Sequence, residues 1–393
     1  MPTLRGWIAT GVAAGLLVLW ISLGEELLGA AAILLGLVVV ANVIYTKRTL
    51  PSIRIGRRIT PHQLHAGQRA VVHLSLATDR RVRHIHVEDS VDELGSAQFL
   101  ASNVDRDNPV GARYEVSCQH RGIFTVGPAT TRVRDPLRLS ESGGFVGEQE
   151  RLVVYPAVED LDGSPLGRGY DPSQQATRAN FAFAGGEDFY TLREYQRGDD
   201  LRHVHWPSSA KRDELMIRQL EMPWQSRALI LLDHRAGAYP SPESFEHAVK
   251  GAASVTRHLY RSGYSPSLWA GGSAGTVSTS DSYATAMESL AVVETATDFD
   301  LKQIVTRLRR AGLAGGVLVF VTGSPGEAHL AAYRVLGRDF LRTVVLSVTQ
   351  TPNDAILALQ RAGAIVVRSP VGASWALPWK QEIERIWSTA PAG

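Results

Sequence analysis

The first fifty residues contain two long apolar runs, Gly6–Leu23 and Leu27–Tyr45, and neither run includes a charged side chain. Each run has nearly the ~20 residues that a helix needs to cross the apolar core of a bilayer. A cleaved signal peptide would account for the first run but not for the second. The pattern therefore predicts a transmembrane helical hairpin over residues 1–50.

The charges that flank these runs predict an orientation. Arg5 precedes the first run, and the short connection between the runs carries only the acidic residues Glu25 and Glu26. The second run is followed by a basic cluster made of Lys47, Arg48, Arg54, Arg57 and Arg58. Because Lys and Arg beside a membrane span favour the cytoplasmic side, we expect both termini and all soluble domains to face the cytoplasm.

Residues 51–158 alternate between apolar and polar positions in short runs, which is typical of half-buried β-strands. We predict strands at 71–76, 84–87, 114–118, 123–126 and 152–155. Several strands at this spacing predict a small β-sandwich domain. Alternation places His84 and His86 on one strand face, but no nearby cysteine or carboxylate completes a set of metal ligands.

Residues 159–184 are rich in Gly, Ser, Pro and Gln without an apolar period, so we predict a linker there, followed by a charged segment at 185–226. From residue 227 to 393 apolar strands alternate with amphipathic helices, which predicts a doubly wound α/β domain. Ser241 and Pro242 supply the cap and the first position of its first helix. The predicted strands are 228–233, 267–270, 317–322, 343–349 and 365–368, and the predicted helices are 242–263, 283–295, 301–310, 327–336 and 355–362.

The amino-acid composition argues against nucleic-acid binding and against disulfides or cysteine-rich metal centres. The chain of 393 residues has a formal net charge of +2, so it has no global basic field of the kind that attracts nucleic acid. The arginines near 307–310 lie on the polar side of a predicted helix, and we expect them to be solvated. A single cysteine, Cys118, excludes an internal disulfide and a cysteine-rich metal centre. The fold class that we expect is therefore a multidomain α+β protein with a two-helix membrane anchor.

The segment 185–226 combines dense charge with aromatic rings at Phe189, Tyr190, Tyr195 and Trp206. It contains the pattern GxEDFxxLREYxxGDDxRxxxWxxSAK, which resembles the signature of the domain of unknown function 58 family, with Asp188 as an extra residue. The residues that carry the resemblance are Gly186, Glu187, Phe189, Leu192, Arg193, Glu194, Tyr195, Gly198, Asp199, Asp200, Arg202, Trp206, Ser209, Ala210 and Lys211.

This resemblance implies a membrane-associated bacterial protein with a von Willebrand factor A-like domain. It also implies an association with a MoxR-type AAA+ ATPase and with transglutaminase-like membrane proteins. We expect the signature residues Glu187, Arg193, Glu194, Tyr195, Asp199, Asp200, Arg202 and Trp206 to form a structural or partner-binding element. In this expectation the charged groups form an ion-pair network, and Tyr195 and Trp206 pack beneath it.

In a von Willebrand factor A domain a metal lies at the carboxyl end of the sheet, where the first strand supplies Asp-x-Ser-x-Ser. Here the first strand is followed by Asp233, but Arg235 and Gly237 stand where the serines would be. Hard cations prefer oxygen ligands, and Arg235 brings a positive charge instead. We therefore expect a degenerate site at Asp233, no bound metal and no other cofactor.

Two alternatives to a non-enzymatic scaffold or adaptor stay open. Asp199, Asp200, His203 and His205 could serve acid–base or metal-assisted hydrolysis, although no nucleophile elbow, phosphate loop or HExxH motif is present. The other alternative is a metal-dependent adhesion module at Asp233. The charged partners Arg193, Arg197 and Arg202 favour a structural role for the acidic residues, so we expect the scaffold and no catalytic residue.

Overall fold

The computed structural model describes residues 3–48, 52–61, 63–134, 137–166, 190–195, 204–212, 214–220, 227–271, 283–297, 301–310 and 315–389. Contacts divide the chain into two compact units, Met1–Val154 and Tyr155–Gly393. The first unit contains two apolar helices and a set of antiparallel strands, and the second contains a parallel sheet with helices. The chain is thus a mixed α/β protein with several sheets.

Helices α1 (Leu4–Leu23) and α2 (Glu26–Arg48) form an antiparallel pair at the start of the first unit. Gly24 ends α1 in the left-handed conformation, with φ of 69°, and its N–H donates to the carbonyl of Trp20. The Trp20 indole lies so close to Gly29 that a Cβ there would come within 2.7 Å of the ring. Both helices are long and apolar enough to cross a membrane, as the sequence predicts.

Ten antiparallel strands complete the described part of the first unit. They are β1 (Ile53–Thr60), β2 (Leu64–His65), β3 (Gln68–Thr78), β4 (Val82–Val91), β5 (Gly95–Val104), β6 (Val110–Cys118), β7 (Gly122–Val126), β8 (Ala129–Arg134), β9 (Glu141–Val146) and β10 (Glu150–Tyr155). One sheet has the order β1-β3-β6, and the other has the order β2-β10-β7-β4-β8-β9 with β5 paired to β4. Val72 and Val116 of the first sheet and Val126 and Val154 of the second share one hydrophobic core.

Arg57 links the two sheets through a buried ion pair. Its Nη2 lies 2.7 Å from Oδ1 of Asp89 in β4, and the two side chains are 2% and 0% exposed. Tyr114 donates to the other carboxylate oxygen of Asp89 at 2.7 Å. Arg57, which the sequence groups with the basic flank, is therefore also a core residue of the folded first unit. Its alternating strand, IRIGRRIT, turns this arginine inward and its neighbours Arg54 and Arg58 outward.

A short segment of the second unit holds the described part of the charged signature. Strand β11 (Tyr190–Glu194) pairs antiparallel with β12 (Met216–Leu220), and helix α3 (Trp206–Arg212) precedes β12. Ser209 ties the helix to the strand because its hydroxyl donates to the His205 carbonyl and accepts from the Met216 N–H at 2.8 Å. Val204, Ser209 and Met216 are buried.

A parallel sheet of five strands forms the centre of the second unit. Its strands are β13 (Arg227–Leu232), β14 (Ser265–Trp269), β15 (Val317–Thr322), β16 (Arg342–Ser347) and β17 (Ile365–Arg368), in the spatial order β14-β13-β15-β16-β17. Its helices are α4 (Pro242–Arg261), α5 (Tyr283–Val292), α6 (Leu301–Arg310), α7 (Glu327–Leu336), α8 (Asp354–Arg361) and α9 (Ala376–Thr389). Ser241 caps α4 and Pro242 is its first residue, as predicted.

Both faces of this sheet are buried. Leu229, Leu231 and Phe320 pack on one face with residues of α6, α7 and α8. Ile230 and Val319 point to the other face and are also fully buried. On that side α4 contacts β13, β14, β15 and β16, and α9 contacts β17. Burial on both faces explains why these strands are continuous apolar runs without alternation.

The start of the predicted linker belongs to the second unit and contacts its helices α4 and α9. Glu159 accepts hydrogen bonds from the N–H groups of Trp375 and Ala376 at 2.7 and 3.2 Å, so its carboxylate caps the amino end of α9. Its other oxygen lies 2.5 Å from Nζ of Lys250. Burial raises the pKa of Glu159, but the hydrogen bonds from Lys250 and Ser374 outweigh this effect and lower the pKa below its ordinary value.

Candidate functional site

Polar side chains meet at the carboxyl edge of the parallel sheet. Asp233 directly follows β13, while Thr322 is the last residue of the neighbouring strand β15. The N–H of Asp233 donates to the Val321 carbonyl at 2.8 Å, so the sheet fixes the backbone at this point. The spatial order of the strands reverses between β13 and β15, and in open α/β sheets such a point is where ligands bind.

Asp233 is 1% exposed, and both of its carboxylate oxygens accept several hydrogen bonds. Oδ1 accepts from Nε of Arg235 at 2.9 Å and from the backbone N–H of the same residue at 3.1 Å. Oδ2 accepts from Nη2 of Arg235 at 2.8 Å, from Oγ1 of Thr322 at 3.0 Å and from Nε2 of His329 at 3.0 Å. We call these four residues the Asp233 cluster.

The hydrogen bonds around His329 fix which of its ring nitrogens carries the proton. Its Nδ1 accepts from the N–H of Gly326 at 3.1 Å, at the amino end of α7. The proton of the neutral ring must then be on Nε2, which donates to Asp233. An imidazolium would be unfavourable at a helix amino terminus. His329 therefore acts here as a neutral donor that holds the carboxylate in place.

Ionisation of Asp233 follows from these donors. Burial raises the pKa of Asp233, but the hydrogen bonds from Arg235 and His329 outweigh it, so the pKa falls well below its usual range. The hydrogen bonds with Asp233 raise the pKa of Arg235 further. The cluster is thus an ion pair between a carboxylate with a lowered pKa and a guanidinium with a raised pKa.

Tyr239 contacts the main chain of Asp233 rather than its carboxylate. Its hydroxyl donates to the carbonyl oxygen of Asp233, and its ring meets Phe245 edge-on, with centroids 5.1 Å apart. Burial and the nearby charge of Asp233 raise the pKa of Tyr239. The loop from β13 to α4 is therefore held by both the side chain and the main chain of Asp233.

The residues at this edge do not fit a metal ion. A carboxylate has about four lone-pair positions, and here five donors already share them. Arg235 places its guanidinium in the direction in which a cation would bind, and Gly237 offers no hydroxyl. Among the residues that the structure describes, no group of three or more His, Cys, Asp or Glu side chains could hold a metal.

The predicted signature residues are only partly within the described structure. Glu187, Asp199, Asp200 and Arg202 lie outside the described residues, as do Arg197 and His203. Arg193 and Glu194 lie in β11, in register with Ile217 and Met216. The N–H of Tyr195 donates to the Leu215 carbonyl at 2.8 Å, and the Tyr195 side chain is half-buried.

Trp206 corrects one prediction about the signature. It is the first residue of α3, and its side chain is 67% exposed, so it does not pack beneath a network of charges. His205 precedes it, and Nδ1 of this histidine lies 2.7 Å from the hydroxyl of Ser208. That contact belongs to the start of a helix, where side chains commonly bond to nearby backbone and hydroxyl groups.

Sequence reasoning located Asp233 and Arg235 but missed Thr322, His329 and Tyr239. Thr322 was detectable, because a polar residue that ends a buried parallel strand points to the same edge as Asp233. His329 sits in the first turn of a helix, and nothing in the local pattern indicates that its ring turns towards the sheet. The same limit applies to Glu159, which is 216 residues from the backbone N–H that it caps.

Comparison with known proteins finds a similarity to one family over part of the chain. Residues 191–319 match the family described as Protein of unknown function DUF58. This DUF58 match begins in β11 and ends within β15, so it includes Asp233 and Arg235 but not Thr322 or His329. It covers about a third of the chain.

The uncharacterized protein YeaD of Bacillus subtilis (strain 168) is 26% identical over 233 residues. The match spans 54% of each protein, so this chain covers about half of the length of its curated relative. The name of that relative assigns it no activity.

Solved structures resemble the chain only weakly. The CARDB domain of the PF1109 protein from Pyrococcus furiosus has a TM-score of 0.21 at 9% identity, over 28% of this chain and 90% of that one. Spo0M, the sporulation control protein of Bacillus subtilis, has a TM-score of 0.17 at 8% identity, over 37% and 61%. Scores this low do not identify a shared fold.

Proposed function

We propose that this protein is a membrane-anchored, non-enzymatic scaffold or adaptor that binds protein partners. The anchor is the hairpin of α1 and α2, which spans the membrane twice, and the sheets beyond it face the cytoplasm. The basic residues that follow α2 and the acidic connection between the helices support this orientation.

The second unit, in this proposal, is a doubly wound domain of the von Willebrand factor A type that works without a metal. The strand order β14-β13-β15-β16-β17 is one of the common orders of doubly wound sheets, and helices cover both faces. The observation that carries the proposal is the pairing of Asp233 with Arg235 where such domains bind an ion. A guanidinium supplies the positive charge that the buried carboxylate requires.

A site of this kind has no reactive group to offer. The carboxylate of Asp233 has no open lone pair for proton abstraction, and its pKa lies far below the pH at which it could act as an acid. His329 donates its only ring proton to Asp233 and accepts a backbone N–H with the other nitrogen. These contacts favour a rigid loop that presents a surface at the carboxyl edge of the sheet.

The partners that we propose are a MoxR-type AAA+ ATPase and a transglutaminase-like membrane protein. Support for them comes from the resemblance of the signature to the DUF58 family, which the match at residues 191–319 extends. The signature residues Glu187, Arg193, Glu194, Tyr195, Asp199, Asp200, Arg202 and Trp206 form the contact element. The exposed indole of Trp206 suits such a role, because aromatic side chains often anchor protein interfaces.

Crosslinking of the full-length chain in membranes, together with a co-expressed MoxR-type ATPase, tests this proposal. We expect the ATPase to be captured by the wild type, and capture to fall at least tenfold in Trp206→Ala and Arg193→Glu. Arg113→Glu is the matched control, because Arg113 is an exposed strand residue of the first unit. Failure to capture the ATPase, or equal loss in the control, would contradict the adaptor role.

A fusion experiment tests the orientation separately. A reporter that is active only in the cytoplasm should be active when it is fused after Gly393. The same reporter should be silent when it is inserted between Glu25 and Glu26. The opposite result would remove the cytoplasmic ATPase from the list of partners.

A further inference from the structure

The amino edge of the parallel sheet carries an unbalanced set of arginines. Between residues 301 and 368 the chain has nine basic and three acidic side chains, although its net charge is only +2. Two of the basic residues, Lys302 at the start of α6 and Arg368 at the end of β17, lie at the opposite, carboxyl edge. Two of the three acidic residues, Glu327 and Asp354, begin α7 and α8 and therefore lie at the opposite, carboxyl edge. The third, Asp339, is paired with Arg309 at 3.1 Å.

Contacts between neighbouring elements bring the arginines of this edge together. The pair of Arg309 and Asp339 joins the end of α6 to the segment after α7. The hydroxyl of Tyr333 donates to the Ala362 carbonyl at 2.5 Å and joins α7 to the end of α8. The N–H of Leu341 donates to the Gly316 carbonyl, which joins the start of β16 to the start of β15. We call Arg309, Arg310, Arg338, Arg342 and Arg361 the arginine surface, and all five are exposed.

Helix dipoles explain only part of this surface. Cations are favoured at helix carboxyl ends, which accounts for Arg309, Arg310 and Arg361. Arg342 begins a strand and Arg338 lies in a 3₁₀ turn, so neither gains from a long helix. Leu341, which lies between Arg338 and Arg342 in the sequence, is 46% exposed. A helix dipole does not explain why an aliphatic side chain is exposed at this position.

Two more aliphatic side chains lie beside the arginines. Val335 is 40% exposed and stands one turn before Arg338, and Leu357 is 42% exposed and stands one turn before Arg361. Residues three or four positions apart share a helix face. The surface therefore combines guanidinium groups with aliphatic side chains, which is the composition that favours a membrane interface over a nucleic acid backbone.

We infer that the arginine surface binds the headgroups of an anionic phospholipid bilayer, with Leu341 inserted at the interface. The same chain begins with two helices that are long and apolar enough to cross a membrane. This inference requires the membrane anchor but not the adaptor role, so either can fail alone. An arginine near an anionic surface strengthens association by about fivefold.

Fluorescence from the full-length chain in lipid nanodiscs tests this inference. Cys118 is fully buried, so a thiol-reactive environment-sensitive dye would label Leu341→Cys or Val335→Cys selectively. We expect a blue shift in discs that contain phosphatidylglycerol and none in discs of phosphatidylcholine. The triple variant Arg310→Gln, Arg338→Gln and Arg342→Gln, which removes three positive charges, should abolish the shift. Addition of 0.5 M salt should also abolish it, because roughly this concentration screens surface charges over a few ångströms.

Ala328→Cys is the matched control, because Ala328 is exposed in the first turn of α7 at the other edge of the sheet. Its dye should report the same environment in both lipids. An identical spectrum of the Leu341 dye in the two lipids, or a shift that survives neutralisation, would overturn the inference. Binding of a labelled DNA or RNA duplex by the arginine surface, without a lipid response, would assign the surface to nucleic acid and overturn it as well.

Discussion

Two buried aspartates in this protein are each paired with an arginine, and the two pairs differ in position and exposure. In the first unit Arg57 and Asp89 are 32 residues apart, lie on different sheets and are both essentially inaccessible. In the second unit Arg235 follows Asp233 by two residues, and its side chain stays 27% exposed. The first pair joins two layers of a fold, whereas the second fills a position at an edge where other proteins bind ligands.

The surroundings of the two arginines sharpen this difference. Arg57 also donates to the carbonyl of Glu148 at 3.2 Å, and Gly127, with φ of 75°, leaves room for it, since a Cβ there would lie 2.4 Å from Nη2. Burial would lower the pKa of Arg57, but its hydrogen bond with Asp89 keeps the pKa raised. The first arginine is enclosed, while the second keeps part of its side chain open to solvent. The enclosed Arg57–Asp89 pair therefore has a structural role, whereas the partly exposed Arg235–Asp233 pair lies at a sheet edge that a partner can still contact.

Asp89→Ala should have the largest effect. It leaves the Arg57 guanidinium buried without its partner, and breaking a buried pair in this way costs about 3–5 kcal/mol. Hydrogen exchange of the full-length chain should then show faster exchange throughout β1 and β4, with no change in the second unit. Glu150→Ala is the control, because Glu150 contacts the same arginine at 3.4 Å but is 44% exposed. If both variants exchange alike, the pair is not a structural link.

Arg235→Ala should cost less, about 1–3 kcal/mol, because water can reach the carboxylate that it leaves, and Thr322 and His329 still donate to it. Exchange should quicken only in the segment from β13 to α4. A loss as large as that of Asp89→Ala would contradict the contrast between an enclosed and an edge pair.

The pH dependence of the edge pair follows from the direction of its pKa shift. The pKa of Asp233 is lower in the folded than in the unfolded chain, so the ionised carboxylate stabilises the fold above about pH 4 and this stabilisation is lost as the pH falls below that value. Asp233→Asn should therefore flatten the decline of the melting temperature of the second unit between about pH 4 and pH 2. An equally steep decline in the variant would show that other carboxylates control acid unfolding.

Glu159 is a third paired carboxylate for comparison, and Glu159→Gln should cost about 1 kcal/mol. The amide still accepts a hydrogen bond from the amino end of α9 but loses the charge that pairs with Lys250. Asp160→Asn is the control, since Asp160 is 80% exposed and its pairs with Arg257 and Arg261 should contribute nothing measurable. Equal melting temperatures for the two variants would contradict a structural role for the start of the predicted linker.

Much of the fold was predictable because hydrophobic pattern and burial agree. The strands at 228–233 and 317–322 and the capped helix after Ser241 coincide closely with β13, β15 and α4. Strand β1 was not predicted, because a run of arginines beside a membrane span has a second interpretation. Helix α9 was also missed, because the burial of Trp379 and the cap supplied by Glu159 arise only once the chain has folded.

Only the part of the site that is formed by residues close together in the sequence could be predicted. Asp233 and Arg235 are two residues apart, so their pairing follows from the loop alone. His329 comes from 96 residues away, and its role depends on the amino end of a helix that points at the sheet edge. The acidic half of the signature, Asp199 and Asp200, lies outside the described residues, so its ion-pair network stays a prediction.

A histidine substitution in the signature distinguishes the scaffold hypothesis from the hydrolase hypothesis. Of the substitutions considered, we expect it to change stability least. His205→Ala removes a contact with Ser208 at the start of a short helix and should lower the melting temperature by no more than about 2 °C. It should leave ATPase capture unchanged and support function in a complementation assay. A His205 or His203 variant that folds, captures the partner and yet fails in cells would favour the hydrolase.

Calorimetric titration of the full-length chain with Mg²⁺ and Mn²⁺ tests most directly the claim that Arg235 stands where an ion would bind. The wild type should bind neither ion more tightly than about 1 mM, because five donors already saturate Asp233. Replacement of both loop residues, Arg235→Ser with Gly237→Ser, should create a site at least tenfold tighter that Asp233→Ala abolishes. Stoichiometric binding by the wild type that Asp233→Ala removes, or no binding by the double variant, would contradict the account.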